Sequence, residues 1–377
     1  MTRRVEPAGE RIGTPWQFVT ILCQPGHMDP GCPATYRGGV NREERDEAAV
    51  PDPTTQAYYA LTPDRVLDAV ETDGRRATGY VLSLSSLENR VYEVALEDDT
   101  RVVAKFYRPG RWSEAALRAE HEYLAELVAL EIPAVAPLVI EGDTLRAVDV
   151  GGGAEIWCAV FPKVRGRATD EPDDQQLEIL GRLLARLHEV GASHGTTVRH
   201  RLDVQSYGWD SVERSAAVLP ASSRAGYVDT ARRLLELVAP LYERLAPSAA
   251  HLRIHADCHA GNLLWDRAGP FFLDFDDFTL GPPVQDVWLL VPGRDVDSVQ
   301  RRDIMVDAYE ELRPFDRRTL ALVEPLRALR ILRYAGWVAA RYDDPAFRRA
   351  FPDFLDDAYW QRETASLREL IDVIRAT

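Results

Sequence analysis

The chain has 377 residues, 46% of them hydrophobic and 28% charged, with a formal net charge of −15. That length suits about two domains, each with its own core, and 60 Asp and Glu against 45 Lys and Arg exclude the basic groove of a nucleic-acid-binding protein. No apolar run reaches the roughly 18 residues of a membrane span, the N-terminus lacks the apolar core of a secretory signal, and cysteines 23, 32, 158 and 258 form no disulfide framework. A cytoplasmic protein with no membrane and no nucleic-acid partner is expected.

Residues 1–58 are rich in Pro, Gly and charge and show no sustained apolar period, so they are expected to be a disordered extension. Cys23, His27 and Cys32 are too few and too scattered to predict a metal site. From residue 59 the pattern changes. Thr62 with Pro63 predicts a helix start, strand-like runs follow near 79–84, 90–96 and 101–107, and further runs lie near 136–140, 144–149 and 156–160. Between them Ser113 is a candidate N-cap for a helix carrying Glu120, on which Leu117, Leu124, Leu127 and Val128 recur at helical spacing. This piece, 59–160, reads as a mostly antiparallel sheet with one packed helix. Within it Lys105 interrupts the apolar run Val102-Val103-Ala104-Lys105-Phe106-Tyr107, where a Lys is out of place unless it serves a charge. A strand Lys paired with a helix Glu, here Glu120, is how kinases position the α- and β-phosphates of ATP.

Residues 161–377 read as helical apart from one hairpin. Leu177, Leu180, Leu183, Leu184 and Leu187 make one apolar stripe, Leu234, Leu235, Val238 and Leu241 another, and 317–341 carries many apolar positions. The hairpin bears the chemistry. His255-Ala256-Asp257-Cys258-His259-Ala260-Gly261-Asn262 is followed by an apolar run, a turn at 266–270, and Leu273-Asp274-Phe275-Asp276. In phosphoryl transfer from ATP, one Asp orients the attacking hydroxyl while an Asn and a later Asp hold Mg²⁺. Asp257, Asn262 and Asp274 have that spacing. A metal hydrolase is the rival reading, because His255, Asp257 and His259 alternate as strand-borne ligands can. Asp286 is a candidate brace for the loop, or a plain helix cap.

Several stretches together resemble the stress response kinase A family, a bacterial branch of the aminoglycoside phosphotransferase and choline kinase group. They are Ser86-Leu87-Glu88-Asn89-Arg90, Lys105-Phe106-Tyr107-Arg108-Pro109, Glu120-His121, 255–265, Leu273-Asp274-Phe275-Asp276-Asp277, Gly281 to Trp288 and Glu324-Pro325-Leu326-Arg327-Ala328. The resemblance covers about 60–375. It implies an α+β fold of two lobes like a protein kinase, with a small antiparallel-sheet N-lobe and a mostly helical C-lobe. It also implies ATP- and Mg²⁺-dependent phosphorylation of Ser or Thr, autophosphorylation included, by a monomer acting on protein substrates. On that resemblance Asp257 is the catalytic base and Asn262 and Asp274 hold Mg²⁺. Asp274 thereby also serves catalysis. Lys105 and Glu120 position phosphate, and Ser86 contacts nucleotide. Val160-Phe161-Pro162-Lys163 would be the adenine hinge, with Phe161 packing or stacking. Ala256 stands where the family has Gly, a change that matters only if the backbone there needs positive φ, and 83–89 contains no glycine. A small-molecule kinase, with Asp276-Asp277 or Asp343-Asp344 serving a cationic acceptor, and a nucleotide-binding scaffold without catalysis remain as alternatives.

Overall fold

The computed structural model describes residues 53–376 except 73 and 170, with backbone only for 53 and 54. Helix α1 (Pro53–Tyr59) and helix α2 (Pro63–Val70) precede the first strand, and Thr62 caps α2 as its sequence predicts. Strands β1 (Ala77–Leu84), β2 (Arg90–Leu96) and β3 (Arg101–Phe106) form an antiparallel meander. Helix α3 (Glu114–Ala129) follows, its Ser113 cap accepting the Ala116 N–H at 3.2 Å. Strands β4 (Arg146–Gly151) and β5 (Ala154–Pro162) complete a five-stranded sheet of order β1-β2-β3-β5-β4.

The period-two alternation of β3 decides what faces what. Val102, Ala104 and Phe106 join the core made with Tyr58, Val66 and Val70, on the face that α1 and α2 cover. Lys105 therefore points to the opposite face, beside Tyr107 and Ala159, where Leu117 of α3 packs. Along α3 the buried positions are Ala116, Leu117, Glu120, His121, Tyr123, Leu124 and Leu127, whereas Val128 is exposed, so helical spacing carries Glu120 into that interface.

Two expectations are corrected here. Residues 136–140 do not form a strand. Pro133 and Pro137 remove backbone donors from the run, and the segment is held instead by Leu138 N–H on the Val160 carbonyl at 2.7 Å and by the Phe272 N–H on the Pro133 carbonyl at 2.8 Å. The extension also ends earlier than position 58, because α1 is part of the lobe. Tyr58 is buried, its hydroxyl donates to the carbonyls of Phe106 and Glu88 at 3.2 and 3.3 Å, and Arg90 and Arg108 lie over its ring. Seven residues, about two helical turns, are too few for an apolar face to register as a period. The expectation for 1–52, including Cys23, His27 and Cys32, falls outside the described residues. Tyr58→Ala is expected to lower unfolding stability by about 3 kcal/mol, and Tyr58→Phe by about 1 kcal/mol. Denaturant unfolding of the full chain measures both, and equal losses would place the stabilisation in the hydroxyl alone.

Beyond Pro162 the chain is helical. In order come α4 (Asp174–Ser193), a π-helical turn (Val204–Trp209), α5 (Asp210–Val218) and α6 (Ala221–Leu245). Short strands β6 (Leu252–Ile254), β7 (Leu263–Trp265), β8 (Pro270–Phe272) and β9 (Thr279–Gly281) interrupt the helices, β6 pairing with β9 and β7 with β8. The remaining helices are α7 (Val284–Leu290), α8 (Val296–Glu310), α9 (Val323–Ala339), α10 (Pro345–Ala350) and α11 (Asp357–Ala376). Of the first stripe, Leu177, Leu180, Leu184 and Leu187 are fully buried in the large core and Leu183 is partly buried against it. Gly191 sets how closely α4 approaches β6: a Cβ there would stand 2.0 Å from the Arg253 carbonyl oxygen. No helix among the described residues is long and apolar enough to cross a membrane.

Candidate active site

The β6 strand ends at Ile254, and the next residues form a loop pinned from below. Asp286 is a fully buried carboxylate inside α7. Its Oδ2 accepts the His255 N–H at 2.9 Å and its Oδ1 the Ala256 N–H at 2.8 Å, while His188 Nε2 lies 3.1 Å from Oδ2. Of the two readings of Asp286, the brace is the one observed. Gln285 Nε2 donates to the Ala256 carbonyl at 2.9 Å, so both backbone groups of Ala256 are held. They hold it at φ 68°, in the left-handed region that costs a non-glycine residue about 1–2 kcal/mol. The Gly-to-Ala departure thus falls where the backbone does need positive φ. Ala256→Gly is expected to stay within about 1 kcal/mol of wild type, because relief of strain offsets the added freedom of the unfolded chain. Ala256→Val should lose about 2–3 kcal/mol, a β-branched side chain being a genuine outlier there. Thermal unfolding of the two variants gives the comparison, and equal stability would show that the loop relaxes out of this conformation.

Asp257 emerges from the loop half-buried. Its Oδ1 accepts from Arg330 Nη1 at 2.7 Å, and its Oδ2 lies 3.3 Å from Asn262 Nδ2 and 3.5 Å from His259 Nε2. Burial alone would raise its pKa, but the Arg330 guanidinium and His259 outweigh burial and hold the carboxyl well below the usual carboxylate range. His255 does not face this site. It is fully buried, Nε2 donating to the Leu273 carbonyl at 2.8 Å and Nδ1 accepting the Asp257 N–H at 3.3 Å, with its ring against Phe275. With both nitrogens committed, His255 is no metal ligand, and among the described residues no group of three or more His, Cys, Asp or Glu could hold an ion. The metal-hydrolase reading fails on that ground.

The β7–β8 hairpin returns the chain as its length requires, and the Leu273 N–H bonds the Asn262 carbonyl at 2.9 Å. Asp274 follows with φ 58° and an exposed carboxylate. Asn262 Nδ2 donates to the Asp257 carbonyl at 2.9 Å as well as to its carboxylate, which leaves Oδ1 as the amide atom for a cation. An amide oxygen and an open carboxylate at the two ends of the β7–β8 hairpin suit a hard cation that keeps most of its shell as water and phosphate.

Lys105 meets three carboxylates, Glu120 Oε1 at 3.4 Å, Asp274 Oδ1 at 3.3 Å and Asp276 Oδ1 at 3.3 Å. Burial would lower its pKa, but those acids, Asp276 foremost, raise it well above the ordinary Lys value. The strand Lys, the helix Glu and the hairpin Asp are thus assembled as their spacing predicts. Ser86 sits on the β1–β2 loop, its hydroxyl accepting the Asn89 N–H at 3.3 Å, and Asn89 Nδ2 reaches across to Asp276 Oδ2 at 3.1 Å. Phe161 is partly buried, packed on the cluster of Tyr107, Leu117 and Ala159 and edge-on to His121.

Five contributors lie outside the site residues read from the sequence, which offers Asp276, Asp277 and Asp344 only to a cationic acceptor. Asp276 is buried, bonded to Arg111 and Asn89 as well as Lys105. Asp277 also pairs with Arg111, at 2.6 Å, and Asp344 with Arg108, at 2.8 Å. These acids neutralise internal cations, so a cationic acceptor cannot rely on them. Glu88, in a stretch matched to the family, accepts from Arg341 Nη2 at 2.9 Å and from Trp337 Nε1, tying the β1–β2 loop to the end of α9. Arg330 reaches Asp257 from 73 residues away, and only its place in the Arg-rich run 327–333 marked it.

The phosphotransferase enzyme family profile matches residues 81–323. Stress response kinase A of Salmonella paratyphi A is 38% identical over 319 residues, which are 84% of this chain and 94% of that one. A Salmonella typhimurium protein named serine/threonine protein kinase RdoA is 37% identical over 319 residues with the same shares of both chains. Among solved structures, amicoumacin kinase in complex with AMP-PNP, Ca²⁺ and Ami superposes with a TM-score of 0.68 at 19% identity, over 84% of this chain and 95% of that one. That likeness shows the fold.

Proposed function

We propose that this chain, which belongs to the phosphotransferase enzyme family in its stress response kinase A branch, is a protein kinase. In this reading it transfers the γ-phosphoryl group of ATP to a Ser or Thr hydroxyl, its own included. The observation that carries this is the assembly of Lys105, Glu120 and Asp274 on one side and Asp257 with Asn262 on the other, joined through the Leu273–Asn262 backbone bond. The names of the relatives support the Ser/Thr acceptor.

In this reading Lys105, kept cationic by its three acids, binds the α- and β-phosphates, and Glu120 fixes its position. Asn262 and Asp274 would hold Mg²⁺, which supplies charge neutralisation on the phosphate oxygens. Asp257 accepts a hydrogen bond from the acceptor hydroxyl and orients it in line. The new bond joins the hydroxyl oxygen to the γ-phosphorus, the bond from that phosphorus to the β–γ bridging oxygen breaks, ADP leaves, and the hydroxyl proton passes to an Asp257 oxygen. Ser86 and the backbone N–H groups of its glycine-free loop would cover the phosphates, and Phe161 would support the adenine hinge from its packed position.

Purified protein with labelled ATP and Mg²⁺ tests this directly. Label retained on Ser or Thr of the protein, and passed to Ser-containing peptides, is expected. Fast transfer to a choline-like or aminoglycoside alcohol, with none to protein, would replace the reading with that of a small-molecule kinase. Nucleotide binding with no transfer to any acceptor would leave a scaffold.

A further inference from the structure

The acceptor side of Asp257 is basic in a protein whose net charge is −15. Arg330 and Arg333 stand one turn apart on α9, so their side chains share a face. Arg330 uses Nη1 on Asp257. Arg333 has no carboxylate within ion-pair distance among the described residues, and its guanidinium lies over the Tyr207 ring, 5.1 Å from the centroid. Tyr207 belongs to the π-helical turn, a distortion frequent at functional sites. Burial, and after it the charges of Arg333, Arg199 and Arg214, lower the pKa of the neighbouring His200, so that imidazole adds no positive charge at neutral pH. Asp277, the acid on this side, is taken up by Arg111.

We propose that Arg330 and Arg333, with Tyr207 beside them, form the acceptor subsite, and that it selects a Ser or Thr flanked by carboxylates in an acidic peptide segment. The inference rests on the protein-kinase reading above and names its substrate class. An Arg fork matches a carboxylate bidentately, whereas a cationic acceptor would meet two guanidiniums before reaching Asp257. Arg330 also covers Asp257 Oδ1. An acceptor carboxylate that draws Arg330 toward itself frees that oxygen for the hydroxyl, coupling recognition of the flanking acid to orientation of the nucleophile.

The test is kcat/KM on three peptides with one Ser core, flanked by Glu, by Gln or by Lys, at about 0.1 M salt, where screening acts over roughly 10 Å. The wild type is expected to prefer the Glu peptide over the Lys peptide by about 10-fold or more, mainly through KM. Arg333→Gln should bring the ratio toward 1 and Arg333→Glu should invert it. Preference for the Lys or Gln peptide, or a ratio unchanged in both variants, overturns the subsite. The two levels fail differently. Peptides phosphorylated without regard to charge would sink this inference alone, whereas label passing to small alcohols and to no peptide would sink the kinase reading beneath it.

Discussion

Asp257→Asn is expected to lower the rate of phosphoryl transfer by about 10²–10⁴-fold while nucleotide affinity stays near that of the wild type. The amide keeps the shape and still accepts from Arg330, but it can neither orient the acceptor hydroxyl as a carboxylate does nor receive its proton. Lys105, proposed to bind the phosphates, is paired with Glu120 and Asp274, and Asp257 with Arg330 instead, so affinity is separable from turnover. Because Arg330 and His259 hold the Asp257 carboxyl low, it stays ionised as pH falls from 8 to 5, and the wild-type rate should show no acid limb from this group over that range. Single-turnover assays with bound ATP, run across that range, check both statements. Turnover within a few-fold of wild type would remove Asp257 from the chemistry.

Asp274→Ala is expected to cost on the order of 10³-fold or more in rate and to abolish the dependence on added Mg²⁺. The fold should survive, since the carboxylate is exposed and Lys105 keeps Glu120 and Asp276 as partners. Asn262→Ala should instead raise the Mg²⁺ concentration needed for half-maximal rate, because it removes one neutral ligand while the charged one remains. It also frees Asp257 from one of its hydrogen bonds. Rate against Mg²⁺ concentration for the three proteins, with melting temperatures alongside, separates a metal role from a folding role. An Asp274→Ala enzyme that still responds to Mg²⁺ as the wild type does would assign the ion to other ligands.

Local spacing determined a good part of this protein by itself. Period-two alternation around Lys105 and the buried stripe of α3 each require only a short stretch of chain, and together they bring Lys105 to Glu120. The capping signals at Thr62 and Ser113 are equally local, because a side-chain oxygen meets a backbone N–H three residues on. The hairpin after Asn262 is short enough that its turn dictates the return of Asp274. Where proline withheld backbone donors, at 136–140, apolar composition misled.

Only the tertiary structure decided the rest, and in each case the partners are remote in sequence. Asp276 looked like an exposed acid until Arg111, Asn89 and Lys105 closed around it. The φ of Ala256 is imposed by Asp286 and Gln285, about thirty residues on. Tyr58 finds its acceptors on β3 and the β1–β2 loop, and Arg330 finds Asp257 across the lobe. Backbone propensity and side-chain period act over a turn or a strand, whereas an ion pair between distant residues forms only after the core has packed and set their separation. A charge therefore shows its type in the sequence, and the partner that gives it a role appears only in the fold.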